Sequence, residues 1–312
     1  MILLISSGGK SVMDDWVRLF AEFAPDLDVR WWHDPTVKPE DVAYVIVWDP
    51  EPGRLASFPN LRVIFSSAAG VDNIVRDPHL PPGVPIVRMG IDEIAQRMGE
   101  YVCLGALALM RGLKRASTAQ AAGTWDYFET APTAQDIRAG ILGLGNLGVR
   151  SATMLSGLGF PTAGWSRTAK QVPGVESFAG DDALDAFLTR TDMLVCLLPD
   201  TPATRGLIGA RVLAKLPSGA GVINAGRGTQ LVMADLIAAL DSGHISGAML
   251  DVFDPEPLPA GHPAWSHPKI IVTPHLASFG SRRGRARYVA DAIAGFGRGA
   301  ALPNQYDPAR GY

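Results

Sequence analysis

The chain has 312 residues, of which 47% are hydrophobic and 19% are charged, and its formal net charge is −3. This composition is typical of a globular protein and excludes an intrinsically disordered chain, and the length suggests two domains. The small negative charge gives no strong overall attraction to nucleic acid or to an anionic membrane, so we expect neither as a partner.

Cysteine usage and the N-terminus bear on where the protein resides. Cys103 and Cys196 each lie in an apolar run, which indicates buried thiols and argues against a disulfide framework or a zinc site. The N-terminal stretch MILLISSGG lacks the basic region and the long apolar run of a secretory signal. The longest apolar run, at residues 102–110, is shorter than the roughly 20 residues of a membrane span. We therefore expect a cytoplasmic protein with no metal site.

Apolar strand-like runs alternate with amphipathic helix-like segments along nearly the whole chain. This alternation predicts parallel sheets covered by helices on both faces, which is an α/β architecture. Residues 99–122 predict one long helix, and a turn-rich segment follows it as far as Asp136. A new series of strands and helices then begins, so a domain boundary is expected near the long helix. The predicted strands cover residues 2–5, 29–32, 43–48, 63–65, 86–87, 137–142, 162–165, 193–198, 221–223, 248–252 and 270–272, and a last helix covers about residues 284–298.

A glycine-rich turn follows the strand predicted at residues 137–142. Its sequence, GLGNLG, matches GxGxxG between a predicted strand and a predicted helix, which is the context of a dinucleotide-binding fingerprint. Gly143 would allow the tight turn, Gly145 would let a pyrophosphate approach the backbone, and Gly148 would let the helix pack closely on the strand. The N–H groups at the helix start would bind phosphate. A glycine turn that serves packing alone is the alternative.

The second strand of this series ends in Trp165, Ser166, Arg167 and Thr168. NAD-binding domains carry an Asp or Glu at this place, which binds the ribose 2′-hydroxyl. Here Ser166 and Thr168 offer hydroxyls, Arg167 offers a planar cation suited to phosphate, and Lys170 adds a positive charge nearby. We therefore predict that NADPH is preferred over NADH, and a solvated basic loop is the alternative.

Three polar segments, NAGRG, DVFDPEPL and TPHLAS, each follow a predicted strand. Ligands of open α/β sheets bind outside the carboxyl ends of the strands. Arg227 of the first segment can clamp a carboxylate, and His275 of the third can exchange a proton near neutral pH. Glu256 of the second can orient the histidine ring and favour its charged form. Each residue alone is more often structural, but together behind a dinucleotide turn they predict hydride transfer to a 2-keto acid.

These segments resemble those of the D-isomer-specific 2-hydroxyacid dehydrogenases over essentially the whole chain. SAAGVD at residues 67–72 and LLPDTPAT at 197–204, after the third strand of the second series, also match. Within the family the chain most resembles the glyoxylate/hydroxypyruvate reductase A group, through WSRT at 165–168, PGVESFAG at 173–180 and ARGY at 309–312. The resemblance implies NADPH-dependent reduction of glyoxylate to glycolate and of hydroxypyruvate to D-glycerate.

The resemblance also implies an organisation of the chain. It implies two Rossmann-like domains with doubly wound parallel sheets. Residues 1–100 and 284–312 would form a flavodoxin-like substrate domain, and residues 101–283 would form an NAD(P)-binding Rossmann domain. A homodimer is implied as well, and the apolar helix at residues 99–122 would suit such an interface.

Roles at matching positions follow from the same resemblance. His275 would be the general acid, Glu256 would pair with it, and Arg227 would bind the substrate carboxylate and polarise the carbonyl. Asp251 would contact the nicotinamide carboxamide, and Trp48 would wall a small substrate pocket unless it is plain core. The implied substrate-binding residues are Trp48, Ala69, Gly70, Val71, Arg227 and His275, the middle three through backbone N–H groups. The implied cofactor-binding residues are Gly143, Gly145, Asn146, Leu147, Gly148, Trp165, Ser166, Arg167, Thr168, Leu198, Pro199, Thr204, Ala225, Gly226, Arg227, Asp251 and His275.

Other functions and one unassigned feature stay open at this point. A reductase of another 2-keto acid, such as phenylpyruvate, would use the same residues. A dinucleotide-sensing binding protein on the same fold would keep them too, although such a protein is expected to carry long tails for its partners. The basic run of Arg282, Arg283, Arg285 and Arg287 fits either a solvated helix face or a funnel for anionic substrates.

Overall fold

The computed structural model describes residues 1–130, 132–309 and 311. The chain divides into two compact units, which we call unit 1 (Met1–Ile94 with Phe279–Tyr312) and unit 2 (Ala95–Ser278). Both divisions lie a few residues before the positions expected from the sequence, and the first lies within the helix Asp92–Met110. Of the C-terminal segment ARGY, Arg310 and Tyr312 lie outside the described residues.

The described part of the chain forms short strands that alternate with helices. In chain order the strands are β1 (Ile2–Ile5), β2 (Asp28–Trp31), β3 (Val42–Val47), β4 (Val63–Ser66), β5 (Ile86–Val87), β6 (Ala139–Leu142), β7 (Thr162–Ser166), β8 (Glu176–Ala179), β9 (Met193–Cys196), β10 (Ala220–Asn224), β11 (Ile245–Leu250) and β12 (Ile270–Val272). The α-helices are α1 (Met13–Phe23), α2 (Asp72–Val75), α3 (Asp92–Met110), α4 (Leu113–Ala121), α5 (Asn146–Gly157), α6 (Leu184–Thr189), α7 (Ala210–Lys215), α8 (Met233–Asp241) and α9 (Arg282–Gly297).

Both sheets are parallel, which confirms the predicted fold class. The sheet of unit 1 has the order β2-β1-β3-β4-β5, and that of unit 2 the order β12-β11-β10-β9-β6-β7-β8. The first order is flavodoxin-like, and the second is the dinucleotide-binding order with one additional strand. Successive residues of a strand enter different cores: Leu142 and Leu194 pack on one face of the second sheet, Ile141 and Val195 on the other. Such strands are apolar without alternation, because both of their faces are covered.

Strand β8 is absent from the sequence prediction. Its four residues, ESFA, begin with two exposed polar side chains, and the strand lies at the end of the sheet. An edge strand with solvated side chains carries no continuous apolar signal. The segment at residues 197–204 therefore follows the fourth strand of unit 2, β9, and not the third.

The prediction of one helix over residues 99–122 is wrong. Helix α3 ends at Met110 and α4 begins at Leu113. Gly112 between them has a φ of +62°, a left-handed conformation that ends an α-helix and suits glycine. A Cβ at this position would stand 2.7 Å from the ring of Phe128. One residue with a positive φ thus divides a stretch of sequence whose residues otherwise favour a single helix.

The basic run joins two helices of unit 1. Arg282 and Arg283 pair with Asp15 and Glu22 of α1 at 2.9 and 2.5 Å. The hydrogen bond from Arg283 lowers the pKa of Glu22. The other two arginines of the run lie over aromatic rings of the same helix. The run therefore packs α9 on α1 through charge and cation–π contacts.

Three observations concern membranes, metals and thiols. In the part of the chain that the structure describes, no helix is both long and apolar enough to cross a membrane. The described residues also include no cluster of His, Cys, Asp and Glu side chains suited to a metal ion. Cys103 and Cys196 are buried free thiols, and burial raises their pKa to about 11 and about 12.

Candidate active site

The glycine turn lies between β6 and α5 in unit 2, as predicted. Gly143 has a φ of +103°, and a Cβ there would stand 2.9 Å from the carbonyl oxygen of Leu197. A Cβ on Gly148 would stand 1.8 Å from the carbonyl oxygen of Gly143. At Gly145, by contrast, the Cβ position faces open space, with no described atom of another segment within 4 Å. The fold itself therefore needs the first and last glycines, whereas the middle one matters only to a group that approaches from outside.

The residues after β7 form an exposed basic turn. Arg167, Thr168 and Lys170 are exposed, and the hydroxyl of Ser166 donates to the carbonyl of Thr168 at 2.8 Å. Trp165 differs from these residues because its side chain is 6% exposed and its indole N–H donates to a backbone carbonyl at 2.8 Å. Trp165 thus packs in the core, and only its backbone borders this turn.

The loop after β9 is closed by its own side chains. The hydroxyl of Thr204 donates to the carbonyl of Pro199 at 2.7 Å and accepts the N–H of Thr201 at 2.9 Å. Leu198 is 8% exposed and packs in the core of unit 2. The three residues expected here, Leu198, Pro199 and Thr204, therefore belong to one ordered loop at the carboxyl edge of the sheet.

The loop after β10 carries Arg227. Ala225 and Gly226 are buried, and the guanidinium of Arg227 donates to the carbonyl of Gly226 at 2.8 Å. A Cβ on Gly228 would stand 1.9 Å from the backbone of Phe253 in the loop after β11. The two loops are therefore in direct backbone contact, and glycine is required at that contact.

Glu256 and His275 form a close pair of titratable side chains at this edge. Glu256 Oε2 lies 2.7 Å from Nδ1 of His275, and Oε1 accepts the backbone N–H of Phe253 at 2.9 Å. The two side chains are 36% and 37% exposed, so the outer side of the imidazole is accessible. A carboxylate hydrogen-bonded to Nδ1 fixes the orientation of the imidazole ring.

The backbone of His275 is in an unusual conformation, which Asp251 stabilises. The φ of His275 is +51°, in the left-handed region. Its N–H donates to the carbonyl of Asp251 at 2.8 Å, and the Asp251 carboxylate accepts the N–H groups of Leu276 and Ala277, each at 2.9 Å. Asp251 is 1% exposed, so this buried charge is stabilised by hydrogen bonds from the turn that carries the histidine.

Two hydroxyls extend this network into α3. Thr273 Oγ1 donates to Asp251 Oδ1 at 2.6 Å and lies 2.7 Å from the hydroxyl of Tyr101. Burial raises the pKa of Tyr101, so its hydroxyl stays protonated. The turn of His275 is therefore connected through three side chains to a helix far away in the sequence.

The remaining predicted residues lie in unit 1. Trp48 directly follows β3 and is half-buried. Ala69, Gly70 and Val71 follow β4, where the Ser66 hydroxyl donates to the carbonyl of Gly70 at 2.6 Å. These loops extend from the carboxyl ends of adjacent strands in the flavodoxin-like sheet, the edge at which such sheets bind ligands.

The structure thus brings Glu256 and His275 together and packs the Arg227 loop against the Glu256 loop. The contacts of Tyr101, Thr273 and Gln230 were not predicted from the sequence. No sequence signal links Tyr101 to Thr273, which are 172 residues apart. Gln230 has a local signal, because a Gln three residues after a helix N-cap commonly bonds back to the N-cap N–H, and Gln230 does so to Arg227.

Comparison with known families decides the class of protein. Residues 104–277 match the family described as D-isomer specific 2-hydroxyacid dehydrogenase, NAD binding domain. The chain belongs to this family. This match confirms the family and the enzyme class that the motifs predicted.

Solved structures of related dehydrogenases resemble the whole chain. A D-isomer specific 2-hydroxyacid dehydrogenase from Xanthobacter autotrophicus Py2, in complex with NADPH and MES, is 42% identical, with a TM-score of 0.93 and coverage of 100% of this chain and 99% of that one. The NADPH-dependent glyoxylate/hydroxypyruvate reductase SmGhrA from Sinorhizobium meliloti, in complex with NADP and sulfate, is 36% identical, with a TM-score of 0.91 and coverage of 100% and 99%. A family protein from Klebsiella pneumoniae 342 is 36% identical, with a TM-score of 0.86 and coverage of 98% and 97%.

Proposed function

We propose that this dehydrogenase reduces glyoxylate to glycolate and hydroxypyruvate to D-glycerate with NADPH. The observation that carries the proposal is the 2.7 Å pair of Glu256 and His275, at the sheet edge that also carries the glycine turn. The similarity to SmGhrA, at 36% identity over the whole chain, supports these two substrates.

The residues of unit 2 fit an NADP-type dinucleotide. Gly145 leaves its Cβ position open at the start of α5, where N–H groups and the helix dipole favour a pyrophosphate. The exposed turn after β7 offers Arg167 and Lys170 and has no carboxylate between residues 165 and 170. A 2′-phosphate would gain charge-assisted hydrogen bonds there, whereas the 2′-hydroxyl of NADH would lack its usual acceptor.

His275 would deliver the proton to the substrate. The cofactor, when bound, supplies the hydride for the carbonyl carbon of the keto acid. In the imidazolium form both ring nitrogens of His275 carry protons, and Nδ1–H donates to Glu256. Nε2–H is then the proton available to the carbonyl oxygen as negative charge develops on it. Arg227 would bind the substrate carboxylate and stabilise that charge.

In unit 1, the loop after β4 would also suit a carboxylate. Among the described residues, the backbone N–H groups of Ala69, Gly70 and Val71 donate none of the backbone–backbone hydrogen bonds found outside the helices and strands. Three such N–H groups in one loop can bind an anion. Trp48, half-buried beside β3, would limit the size of the group attached to the keto carbon.

We further propose a homodimer in the cytoplasm with no nucleic acid partner. Leu104, Leu107 and Leu158 are 54%, 37% and 46% exposed, and they line one groove between α3 and α5. Beyond α4, Trp125 and Tyr127 are 94% and 81% exposed. Large apolar side chains exposed together are typical of interfaces, and a second copy would cover them. Light scattering at micromolar concentration should give twice the monomer mass.

The decisive test is the loss of absorbance at 340 nm with purified protein. NADPH and NADH are supplied separately with glyoxylate, hydroxypyruvate, pyruvate or phenylpyruvate. Rapid oxidation of NADPH with the first two acids supports the proposal. Activity on phenylpyruvate alone would retain the mechanism and reject the substrates. Binding of NADPH without turnover of any of the four acids would favour a dinucleotide-sensing protein.

A further inference from the structure

The side chain of Gln230 occupies the space between two loops of the candidate site. Gln230 follows the Arg227 loop and is 0% exposed. Its Nε2 donates to the carbonyls of Leu198 and Pro199 at 2.8 and 3.0 Å. Its Oε1 accepts the backbone N–H of Arg227 at 2.9 Å and the thiol of Cys196 at 3.2 Å. One carboxamide thus joins the loop after β9 to the loop that carries the arginine.

The chemistry of these four partners fixes the orientation of the amide. Two carbonyl oxygens can only accept, so they require the NH₂ group of Gln230. The N–H of Arg227 can only donate, so it requires the amide oxygen. Burial keeps Cys196 protonated by raising the thiol pKa to about 12, so the thiol also donates. Every donor and acceptor of the Gln230 carboxamide is therefore used, and the flipped amide would lose all four bonds.

Arg227 is consequently held through both polar groups of its backbone. Its N–H donates to Gln230, and its carbonyl accepts Nδ2 of Asn224 at 3.0 Å. Asn224 is also 0% exposed. A Cβ on Gly226 would stand 2.4 Å from Gln230 Oε1 and 3.0 Å from the carbonyl oxygen of Leu198. The glycine before the arginine is thus required by the carboxamide.

We propose that Gln230 is a positioning residue that couples dinucleotide binding at the Leu198–Pro199 backbone to the placement of Arg227 for the keto acid. The inference rests on the proposed function, because it takes the loop after β9 as a cofactor loop and Arg227 as the carboxylate ligand. A displacement of Leu198 or Pro199 is transmitted through Nε2 and Oε1 to the Arg227 peptide, since a fully bonded buried amide has no alternative partners.

A nearby contact provides a matched control. Thr229, one residue before Gln230, donates to Asp200 Oδ1 at 3.0 Å and so joins the same two loops at the half-buried periphery. Asp200 retains its bidentate pair with Arg205 when that hydroxyl is removed. Thr229→Val therefore removes one bond between the loops while the bonds to the Arg227 N–H and to both carbonyls persist.

The test measures linkage between NADPH and oxalate, a dicarboxylate that cannot be reduced by hydride transfer. Calorimetry gives the oxalate dissociation constant with and without saturating NADPH. For the wild type we expect oxalate to bind at least about fivefold more tightly with NADPH. Gln230→Met, similar in size but unable to make these bonds, should lower this ratio below about twofold and reduce kcat/KM for glyoxylate about tenfold or more. Thr229→Val should keep the wild-type ratio.

A second variant tests the hydrogen-bond donor itself. In Gln230→Glu the introduced carboxyl group can donate to Leu198 or Pro199 only when protonated. Burial raises the pKa of such a carboxyl group, to about 8–9 in documented cases. The ratio of its kcat/KM to that of the wild type should therefore rise severalfold from pH 10 to pH 6. Circular dichroism and a melting curve will show whether Gln230→Met folds. If it does not, the comparison of Gln230→Glu with the wild type still tests the proposal.

The outcomes separate this inference from the proposed function. An active wild type whose NADPH–oxalate linkage is unchanged in Gln230→Met, or reduced equally in Thr229→Val, overturns the coupling role alone. A pH-independent ratio for Gln230→Glu also overturns it. A wild type that neither reduces 2-keto acids nor binds oxalate overturns the proposed function, and the inference with it.

Discussion

The carboxylate of Glu256 lies 2.7 Å from Nδ1 of His275, and its second oxygen accepts the backbone N–H of Phe253 at 2.9 Å. Glu256, which orients the imidazole of His275, is therefore bonded to the backbone of Phe253, and Gly228 contacts the same backbone. Because Gly228 directly follows Arg227, the placements of the arginine, the glutamate and the histidine depend on one another.

Removal of the glutamate charge should weaken the bond that orients the imidazole. Glu256 Oε2 lies 2.7 Å from Nδ1 of His275, and in Glu256→Gln that charged acceptor becomes a neutral amide. A charge-assisted hydrogen bond is stronger by about 1 kcal/mol, so we expect kcat to fall about fivefold or more. The measurement is kcat with saturating NADPH and glyoxylate. An unchanged kcat would contradict the assignment of Glu256.

Loss of the imidazole should remove most turnover and leave cofactor binding intact. His275 has a φ of +51°, so His275→Asn is the suitable change, because asparagine tolerates left-handed backbone better than alanine. We expect kcat to fall about 10²–10⁴-fold, the usual contribution of a positioned acid. Fluorescence titration should give an unchanged NADPH dissociation constant. A variant with full activity would exclude His275 as the acid.

Arg167 should distinguish the two cofactors. In Arg167→Ala we expect the NADPH dissociation constant to rise by about tenfold or more, from loss of a charge-assisted bond to the 2′-phosphate. Binding of NADH, which has no such phosphate, should change less than about twofold. The variant Lys170→Ala, in the same exposed turn, measures how much a second positive charge contributes to the binding of each cofactor. Equal weakening of both cofactors would reject the 2′-phosphate site.

The network beneath His275 should contribute to both stability and catalysis. Thr273→Val preserves shape but removes the 2.6 Å bond to Asp251 and leaves the Tyr101 hydroxyl without that partner. We expect a loss of about 1–3 kcal/mol in the free energy of unfolding and a severalfold lower kcat. Tyr101→Phe removes only the outer bond and should have a smaller effect on kcat. Urea unfolding and steady-state kinetics test both variants, and equal kcat values for Thr273→Val and wild type would contradict the prediction.

The two thiols should be unreactive in the folded protein. Burial raises the pKa of Cys103 to about 11 and that of Cys196 to about 12. At pH 8 roughly one thiol in a thousand or fewer is then a thiolate, which is the reactive form. Titration with an aromatic disulfide reagent should release almost no chromophore from native protein, and two equivalents after denaturation. Rapid reaction of one equivalent in the native state would show an accessible thiol.

The sequence by itself determined the features that depend on residues close together along the chain. Apolar runs of strand length predicted the parallel sheets, because a strand covered on both faces is apolar throughout. The spacing of Gly143 and Gly148 predicted the turn, since both lack room for a Cβ beside backbone atoms. Glu256 and His275 were matched through motifs that follow strands, and parallel strands bring their carboxyl ends to one edge.

Only the tertiary structure decided the features that arise between distant segments. Gly112 has a left-handed φ of +62° with Phe128 packed beside it, so the predicted long helix is two helices. The arginines at 282, 283, 285 and 287 contact α1, which lies some 260 residues away in the sequence. Tyr101 and Gln230 bond to the loops of the candidate site because folding buried their polar atoms, and a buried donor or acceptor needs a partner in the packed chain. The order of apolar and polar residues along the chain determines which helices and strands form. The hydrogen bonds that buried polar groups require then determine which residues support the loops of the candidate site.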